Sequence, residues 1–462
     1  MVGPPSEQTN LLDNGENTDQ NEAGSGSISR TTYLPPVLVL PLALLSALAL
    51  SSTSATAYYT YATLLCKDAT HCKGQETNRF AGYVAVATAI SNILGIASLG
   101  PLQRITKTKL KLGLTFWITI RSMSPMMLFV GKNLQNIYVA LSSKLFDGLA
   151  SDNILHFALN TAYTQHPRAE KASSFIGYSL ALYMVGISTS PFVAGWFTNS
   201  SISFVAAITL FALAAAYLQL IVHPKVVTID DSENPRPDEE GPEVEQTSHA
   251  TLKIFILPLQ ALARNHSTLF CGLSLLLYNV VQSYIFSALL IHTSIEFGFT
   301  SRENGFLISL VHSIGALYIF MSVYVMPKIY QMLSRESSQS AETKLENSTL
   351  AVLSFGCQAL SLVALGSSSE AWQVYVAAAL LALGLPTPSF VKAHGISGHI
   401  GSRRAEVLAA LAMMETMGDV LGPVVLGGWQ SYKTAGGEVF FLGSGLMIIS
   451  LGLFVCNLFS VR

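Results

Sequence analysis

The chain has 462 residues, half of them apolar and only 12 % charged, about half the charge density expected of a soluble domain. With a positive mean hydropathy this points to an integral membrane protein, and a formal net charge of −2 excludes a basic nucleic-acid binder. Five cysteines are too few for a disulfide scaffold.

Residues 1–33 are polar, rich in Gly, Ser, Asn and Glu, and are expected to form a disordered tail. Within the tail, Glu7 with Leu11 and Leu12 in "SEQTNLLDN" is similar to an acidic dileucine sorting signal of vacuolar or lysosomal proteins. Twelve apolar runs follow, at about 35–60, 80–101, 112–131, 137–162, 173–196, 202–222, 267–292, 303–327, 349–367, 372–390, 406–429 and 439–459. Each has the roughly 20 residues that cross a bilayer. Backbone groups in lipid must bond within their own segment, so these runs are predicted to be helices.

The tyrosines of "SATAYYTYATLL" at the end of the first run read as an interfacial aromatic belt. Cys66 and Cys72 share the next loop and can pair if it faces an oxidising compartment. Cys271, Cys357 and Cys456 lie within apolar runs and read as inert packing residues. Arg121 sits mid-span in the third run, "FWITIRSMSP", where a structural partner on a neighbouring helix or a substrate contact would hold it.

The fourth run, "YVALSSKLFDGLASDNILHFALNTAY", carries Lys144, Asp147, Asp152 and His156. Read as one helix, it places Lys144, Asp147, Gly148, Ser151 and Asp152 on one face about 140° wide. Lys144 and Asp147, and Asp152 and His156, are spaced to touch. A charge at mid-span costs about 2.5–3.5 kcal/mol, so these groups must face protein or water. Either they form two ion pairs that hold the first half together, or at least one carboxylate exchanges a proton or meets substrate. Asp147, Asp152 and His156 are therefore candidates for proton coupling, and Lys144 for the substrate cavity.

Asn199 in "NSS" has the acceptor pattern for N-glycosylation. Residues 223–266 include "DDSENPRPDEEGPEVEQ" and read as an acidic flexible linker that separates six runs from six. The seventh run has Tyr278, Asn279 and Gln282 within one turn; such groups can bond adjacent helices for about 1 kcal/mol or less each. His312 in the eighth run reads as a packed core histidine, and Pro386 and Pro388 in "GLPTPSF" are expected to break the tenth run and supply a hinge. The eleventh carries Glu415 and Asp419 on one face, with no lysine or arginine evident in the nearby spans. Two close carboxylates repel when both are ionised, the arrangement a proton carrier needs, so both are proton-coupling candidates.

With the N-terminus in the cytosol, the cytosolic connections hold 18 lysines and arginines and the opposite ones 6. The positive-inside rule then places both termini in the cytosol. The two halves also resemble each other. Run five is entered by "PRAEKASSFIGYSLALYMVGISTSPFVAGW" and run eleven by "RRAEVLAALAMMETMGDVLGPVVLGGW". Each has Arg-Ala-Glu, then a small-residue face that includes Gly418 and Gly422 in the second, then a proline (Pro191, Pro423) and Gly-Trp.

From about residue 34 onward the chain resembles the major facilitator superfamily. Gly177, Gly186, Ser190, Pro191, Ala194 and Gly195 are similar to the family's antiporter-associated motif, with Ser190 and Ala194 where glycine is usual. Both replacements are small enough to keep helices close. "KLFDGLASDN" resembles the family's helix-four motif with Lys144 in place of arginine and Asp152 in place of glycine. "LGPLQRITKTK" is a weak version of its cytosolic loop motif: Arg104 and Lys107 match, while Gln103 replaces the aspartate of the usual charge latch and Thr106 a glycine. Within the superfamily the nearest likeness is to fungal twelve-helix drug and metabolite exporters.

The resemblance implies an all-α membrane protein of two pseudo-symmetric six-helix bundles, residues 34–222 and 267–462. It implies a central cavity lined by helices four and seven, which adds Asn279 and Gln282 as substrate candidates. It also implies alternating access and antiport of a small organic compound driven by a proton gradient, without a bound cofactor or metal, in a monomer of the plasma or vacuolar membrane. No Walker loop, HExxH or GxSxG is present in the sequence. The competing readings are a transporter-like receptor, an intramembrane hydrolase or acyltransferase that pairs His156 with Asp152, and a vacuolar symporter.

Overall fold

The computed structural model describes residues 29–67, 75–164, 172–197, 199–223, 225–229, 266–325, 339–397, 402–432 and 436–460. The sorting-signal residues Glu7, Leu11 and Leu12, together with Cys72, Arg168, Lys171 and the linker over 231–265, lie outside the described residues.

The expected spans are present as helices. They are α1 (Pro36–Leu65), α2 (Gln75–Thr108), α3 (Leu110–Asn133), α5 (Ala172–Gly195), α6 (Ser200–Leu220), α7 (His266–Glu296), α8 (Ser301–Phe320), α9 (Gln339–Gly366), α10 (Ala371–Ala382 and Thr387–Ser397), α11 (Ser402–Gly422, continuing to Tyr432) and α12 (Glu438–Ser460). The fourth span, α4, departs from the sequence reading. It is three short segments, Ile137–Leu141, Ser143–Leu149 and Asp152–Thr164, so its ionisable groups do not share the one continuous face that uniform helical spacing requires.

The halves are built alike. In the first, α1 packs on α5 and α6, α3 on α4 and α6, and α2 on α4; in the second, α7 packs on α11 and α12, α9 on α10 and α12, and α8 on α10. Raising each label of the first set by six gives the second. The same rule exchanges the two seams between halves, α2 against α11 and α5 against α8. Each half has its own apolar core: Trp117, Phe211 and Leu155 lie in one, and Phe355, Leu362 and Phe454 in the other. Small residues set the tightest approaches. A Cβ on Gly186 of α5 would stand 2.5 Å from the Ala47 Cβ of α1, and one on Gly418 of α11 would stand 2.5 Å from the Leu276 carbonyl of α7. These are equivalent positions in the two halves.

Among the described residues, a third apolar cluster joins the halves at one end. Tyr58, Tyr61, Phe80 and Val84 from the first half meet Leu290, Ile291 and Ile308 from the second. Near that end Gly305 lies against the Pro191 carbonyl, the Ser431 hydroxyl donates to the Asn78 carbonyl (2.9 Å), and Arg302 stacks over Trp196 (5.4 Å). Toward the opposite end α5 and α8 part, leaving an apolar groove of about 730 Å³ between Tyr178, Leu180 and Met184 on one side and Ala316, Ile319 and Phe320 on the other.

A separate small unit consists, among the described residues, of two paired strands, Ser29–Tyr33 and Lys225–Ile229. Among the described residues this strand pair is the one exception to the all-helical expectation. The β-branched and aromatic run Thr31–Thr32–Tyr33 faces "KVVTI", sequences that favour a strand pair.

Candidate functional site

The break in α4 creates the site. Where the helix stops at Leu149 and restarts at Asp152, carbonyl groups lose their intrahelical donors, and inside a membrane no bulk water replaces them. Two side chains of α3 take that role. The Trp117 indole donates to the Ser151 carbonyl (2.9 Å), and Arg121 Nη1 donates to the carbonyls of Asp147 (2.7 Å) and Ala150 (3.2 Å). The same guanidinium pairs with the Asp147 carboxylate (3.4 Å) and, through Nη2, with Asp152 (3.6 Å). Arg121 is thus the structural partner of α4.

This geometry replaces the two pairs expected from spacing. Asp152 is held by Arg121 and by the Tyr183 hydroxyl, which donates to Oδ2 at 2.9 Å. His156 forms no ion pair with it and sets its ring edge-on to Tyr183, 4.5 Å between centroids. Among the described residues no hydrogen bond joins the two, and the enzyme reading requires one. Lys144 meets Asp147 only at 3.8 Å and stands over the Tyr58 ring at 5.3 Å.

These groups border a cavity of about 290 Å³, lined by Tyr58, Tyr61, Arg121, Lys144, Asp147, Asp152 and Tyr183 from the first half and by Phe286, Leu290, Ile308 and His312 from the second. Tyr58 and Tyr61 are buried and so are not an interfacial belt. Tyr58 shares a 2.5 Å hydrogen bond with Ser287 of α7, and Tyr61 one of 2.9 Å with Ser143. His312 stacks on Phe286 (5.4 Å, 19°) at the cavity wall instead of sitting in a core away from it. Sequence reading missed these aromatic residues because span ends and cavity walls have the same composition.

The second half differs from expectation at α11. Glu415 has a partner, Lys392 of α10, at 2.5 Å. Lys392 stands just past the expected end of the tenth run at about residue 390, on the second segment of α10. The half-buried Asp419 carboxylate has no hydrogen bond or ion pair among the described residues, while its backbone carbonyl accepts from Asn92 of α2 at 2.5 Å. Asn279 lies against Gly418 on the α7–α11 contact. Gln282 accepts from Gln358 of α9 (3.2 Å) and from the Tyr278 hydroxyl (3.4 Å). Neither Asn279 nor Gln282 lines the 290 Å³ cavity.

α10 is interrupted as its prolines predict, and the freed carbonyls of Gly384 and Leu385 lie 2.9 and 3.3 Å from the Tyr278 hydroxyl, with Thr387 also donating to Gly384 (2.6 Å). Ser190 donates to the Leu48 carbonyl (2.5 Å), Ala194 is buried and Gly195 lies against Arg302, so the helix-five motif acts in packing; Gly177 borders the α5–α8 groove. Pro423 opens a π-helical turn, Pro423–Gly427, and Gly422 of α11 is pressed against Val280 of α7. Arg104 is exposed and makes no ion pair among the described residues, in keeping with the altered loop motif, and nothing is described of the Lys107 side chain. Exposed Asn199 caps α6 through its carbonyl oxygen, which also accepts from Lys132 at 2.6 Å. Cys66 is disulfide-bonded, whereas Cys271, Cys357 and Cys456 form no disulfide among the described residues.

Solved structures share this arrangement over most of its length. A point mutant of the nucleoside transporter NupG superposes with a TM-score of 0.66 at 13 % identity, covering 91 % of this chain and 99 % of that one. The chain has the major facilitator fold. The human organic anion transporter MFSD10 (TETRAN) matches at TM-score 0.56 and 14 % identity, over 91 % of this chain and 98 % of that one. An auto-inhibited peptide transporter of the POT family matches at 0.59 and 12 %, over 92 % and 96 %. No family model and no curated protein matches the sequence. Within this major facilitator fold the charged cavity lies between the halves, beneath the end where they touch.

Proposed function

We propose that the protein is a secondary active transporter that works by alternating access, exporting a small organic compound in exchange for protons. The observation that carries this reading is the polar cavity between two like bundles that touch at one end and part at the other. Rocking the bundles about that cavity would expose it to each side in turn. The closed end is assigned to the non-cytosolic side, in agreement with the excess of Lys and Arg at the other end and with a bonded Cys66. Both termini are then cytosolic, and plasma and vacuolar membranes are the two candidate locations. The working unit is a monomer with no bound cofactor.

Coupling is assigned to Asp419. Asp147 and Asp152 are tied to Arg121, and Glu415 to Lys392. Asp419 alone among these four carboxylates makes no ion pair among the described residues, so it can gain a proton without breaking one. It sits on α11 where α2 meets it, so its charge bears on a contact between halves. A membrane potential adds about 2.3 kcal/mol per charge per 100 mV.

The test is a locked seam. A Cβ on Gly82 would stand 3.7 Å from that of Ser431, within the roughly 3.5–4.5 Å of a disulfide. In liposomes carrying an internal pH dye and screened with a panel of small organic compounds, oxidising Gly82→Cys with Ser431→Cys is expected to cut compound-driven proton movement at least tenfold, and reductant to restore it. Undiminished movement in fully cross-linked protein would refute alternating access.

A further inference from the structure

We infer that the cavity binds a small aromatic or otherwise apolar monocarboxylate, its carboxylate on the Lys144 ammonium and its ring against the Phe286–His312 stack. This deepens the transport reading and rests on it for the fate of the ligand, not for its binding.

The argument starts from unequal satisfaction of the cations. Arg121 donates to two carbonyls and pairs with two carboxylates, so its charge is already well matched. The Lys144 ammonium offers three donors, yet among the described residues it has no hydrogen-bond acceptor. Its one ion pair is 3.8 Å long and shared with Arg121, and its other neighbour is the Tyr58 ring. A largely buried ammonium left in this state is costly unless an acceptor arrives. The Lys144 side chain is 19 % exposed, and it is exposed into the cavity. A ligand carboxylate is the group that completes it, through charge-assisted hydrogen bonds.

Charge and size narrow the class. Arg121 and Lys144 balance Asp147 and Asp152, so the empty cavity is neutral. One anionic group is the most it accepts without a large uncompensated charge, and a dianion is disfavoured. Both oxygens of Asp152 already have neighbours, Arg121 at Oδ1 and the Tyr183 hydroxyl at Oδ2, so a ligand amine would compete with them, whereas a simple acid needs no such exchange. The volume of about 290 Å³ lies just below the roughly 300–1,000 Å³ of ligand pockets, so the ligand is small. The wall facing Lys144 is apolar and aromatic, formed by Phe286, Leu290, Ile308 and His312 from the second half with Phe211 from the first. A benzoate-sized acid fits both ends of this cavity.

The experiment uses purified full-length protein in detergent, with thermal stabilisation as the readout of binding. Benzoate, 4-hydroxybenzoate and cinnamate are compared with benzamide, benzylamine and the dianion phthalate. At least one monocarboxylate is expected to bind ten times more tightly than benzamide, benzylamine and phthalate. Lys144→Gln is expected to weaken it at least tenfold, and Lys144→Arg to retain part of it. The ligand comparison on unaltered protein stands even if a variant fails to fold. Equal response to acid and amide, unchanged binding by folded Lys144→Gln, or no response to any of the three acids would overturn the inference. Flux of the bound acid in liposomes is then measured separately. Binding without flux removes the transport reading and leaves this site; flux of uncharged compounds with no response to acids does the reverse.

Discussion

The fourth and tenth spans occupy equivalent places in the two halves, and both are broken, yet they are mended by different means. In α4 the freed carbonyls are met by a charged side chain, Arg121, which brings two carboxylates with it. In α10 they are met by the neutral hydroxyls of Thr387 and Tyr278, the latter also near Gln282 and so Gln358. The lesson is that one architectural problem, unpaired backbone in lipid, has a charged and a neutral solution. The charged one leaves titratable groups beside a cavity. The neutral one leaves a joint, and moves the unpaired carboxylate to α11.

Breaking the charged joint should cost most. Arg121→Met strands two carboxylates and two carbonyls, and removal of one partner of a buried ion pair costs about 3–5 kcal/mol; loss of monodisperse protein and a large fall in the thermal midpoint are expected. Asp419→Asn is expected to abolish pH-driven flux at least a hundredfold while leaving the midpoint nearly unchanged. Asp152→Asn should do the reverse, lowering the midpoint but preserving coupling. If Asp152→Asn uncouples transport and Asp419→Asn does not, the assignment of the proton site is inverted.

The neutral joint is sharpened by Tyr278→Phe, which removes the hydroxyl from the Leu385 carbonyl while Thr387 still donates to that of Gly384, and is expected to cost about 1 kcal/mol by thermal unfolding. A packing contrast separates tight from open glycines. Gly186→Ala must move Ala47 of α1, for about 1–3 kcal/mol of overpacking. Gly356→Ala meets nothing within 4 Å and should be neutral or stabilising by up to about 1 kcal/mol.

Sequence alone determined the membrane class, the twelve spans and the six-plus-six division, because hydrocarbon imposes long apolar runs and the duplicated glycine and proline positions keep the same helix contacts in each half. It also located the break in α10, since proline removes a backbone donor wherever it stands. It marked Lys144, Asp147, Asp152, Glu415 and Asp419 as costly and therefore purposeful. Only the tertiary structure decided their partners. Arg121 is 26 residues from Asp147 and Lys392 is 23 from Glu415, and no helical periodicity relates residues on different spans. The α4 break carries no proline, so its signal was a tryptophan and an arginine on the neighbouring α3, legible only once α3 and α4 are side by side. Helical spacing was reliable where the helix continued and misleading where it stopped, because a face exists only while the backbone repeats.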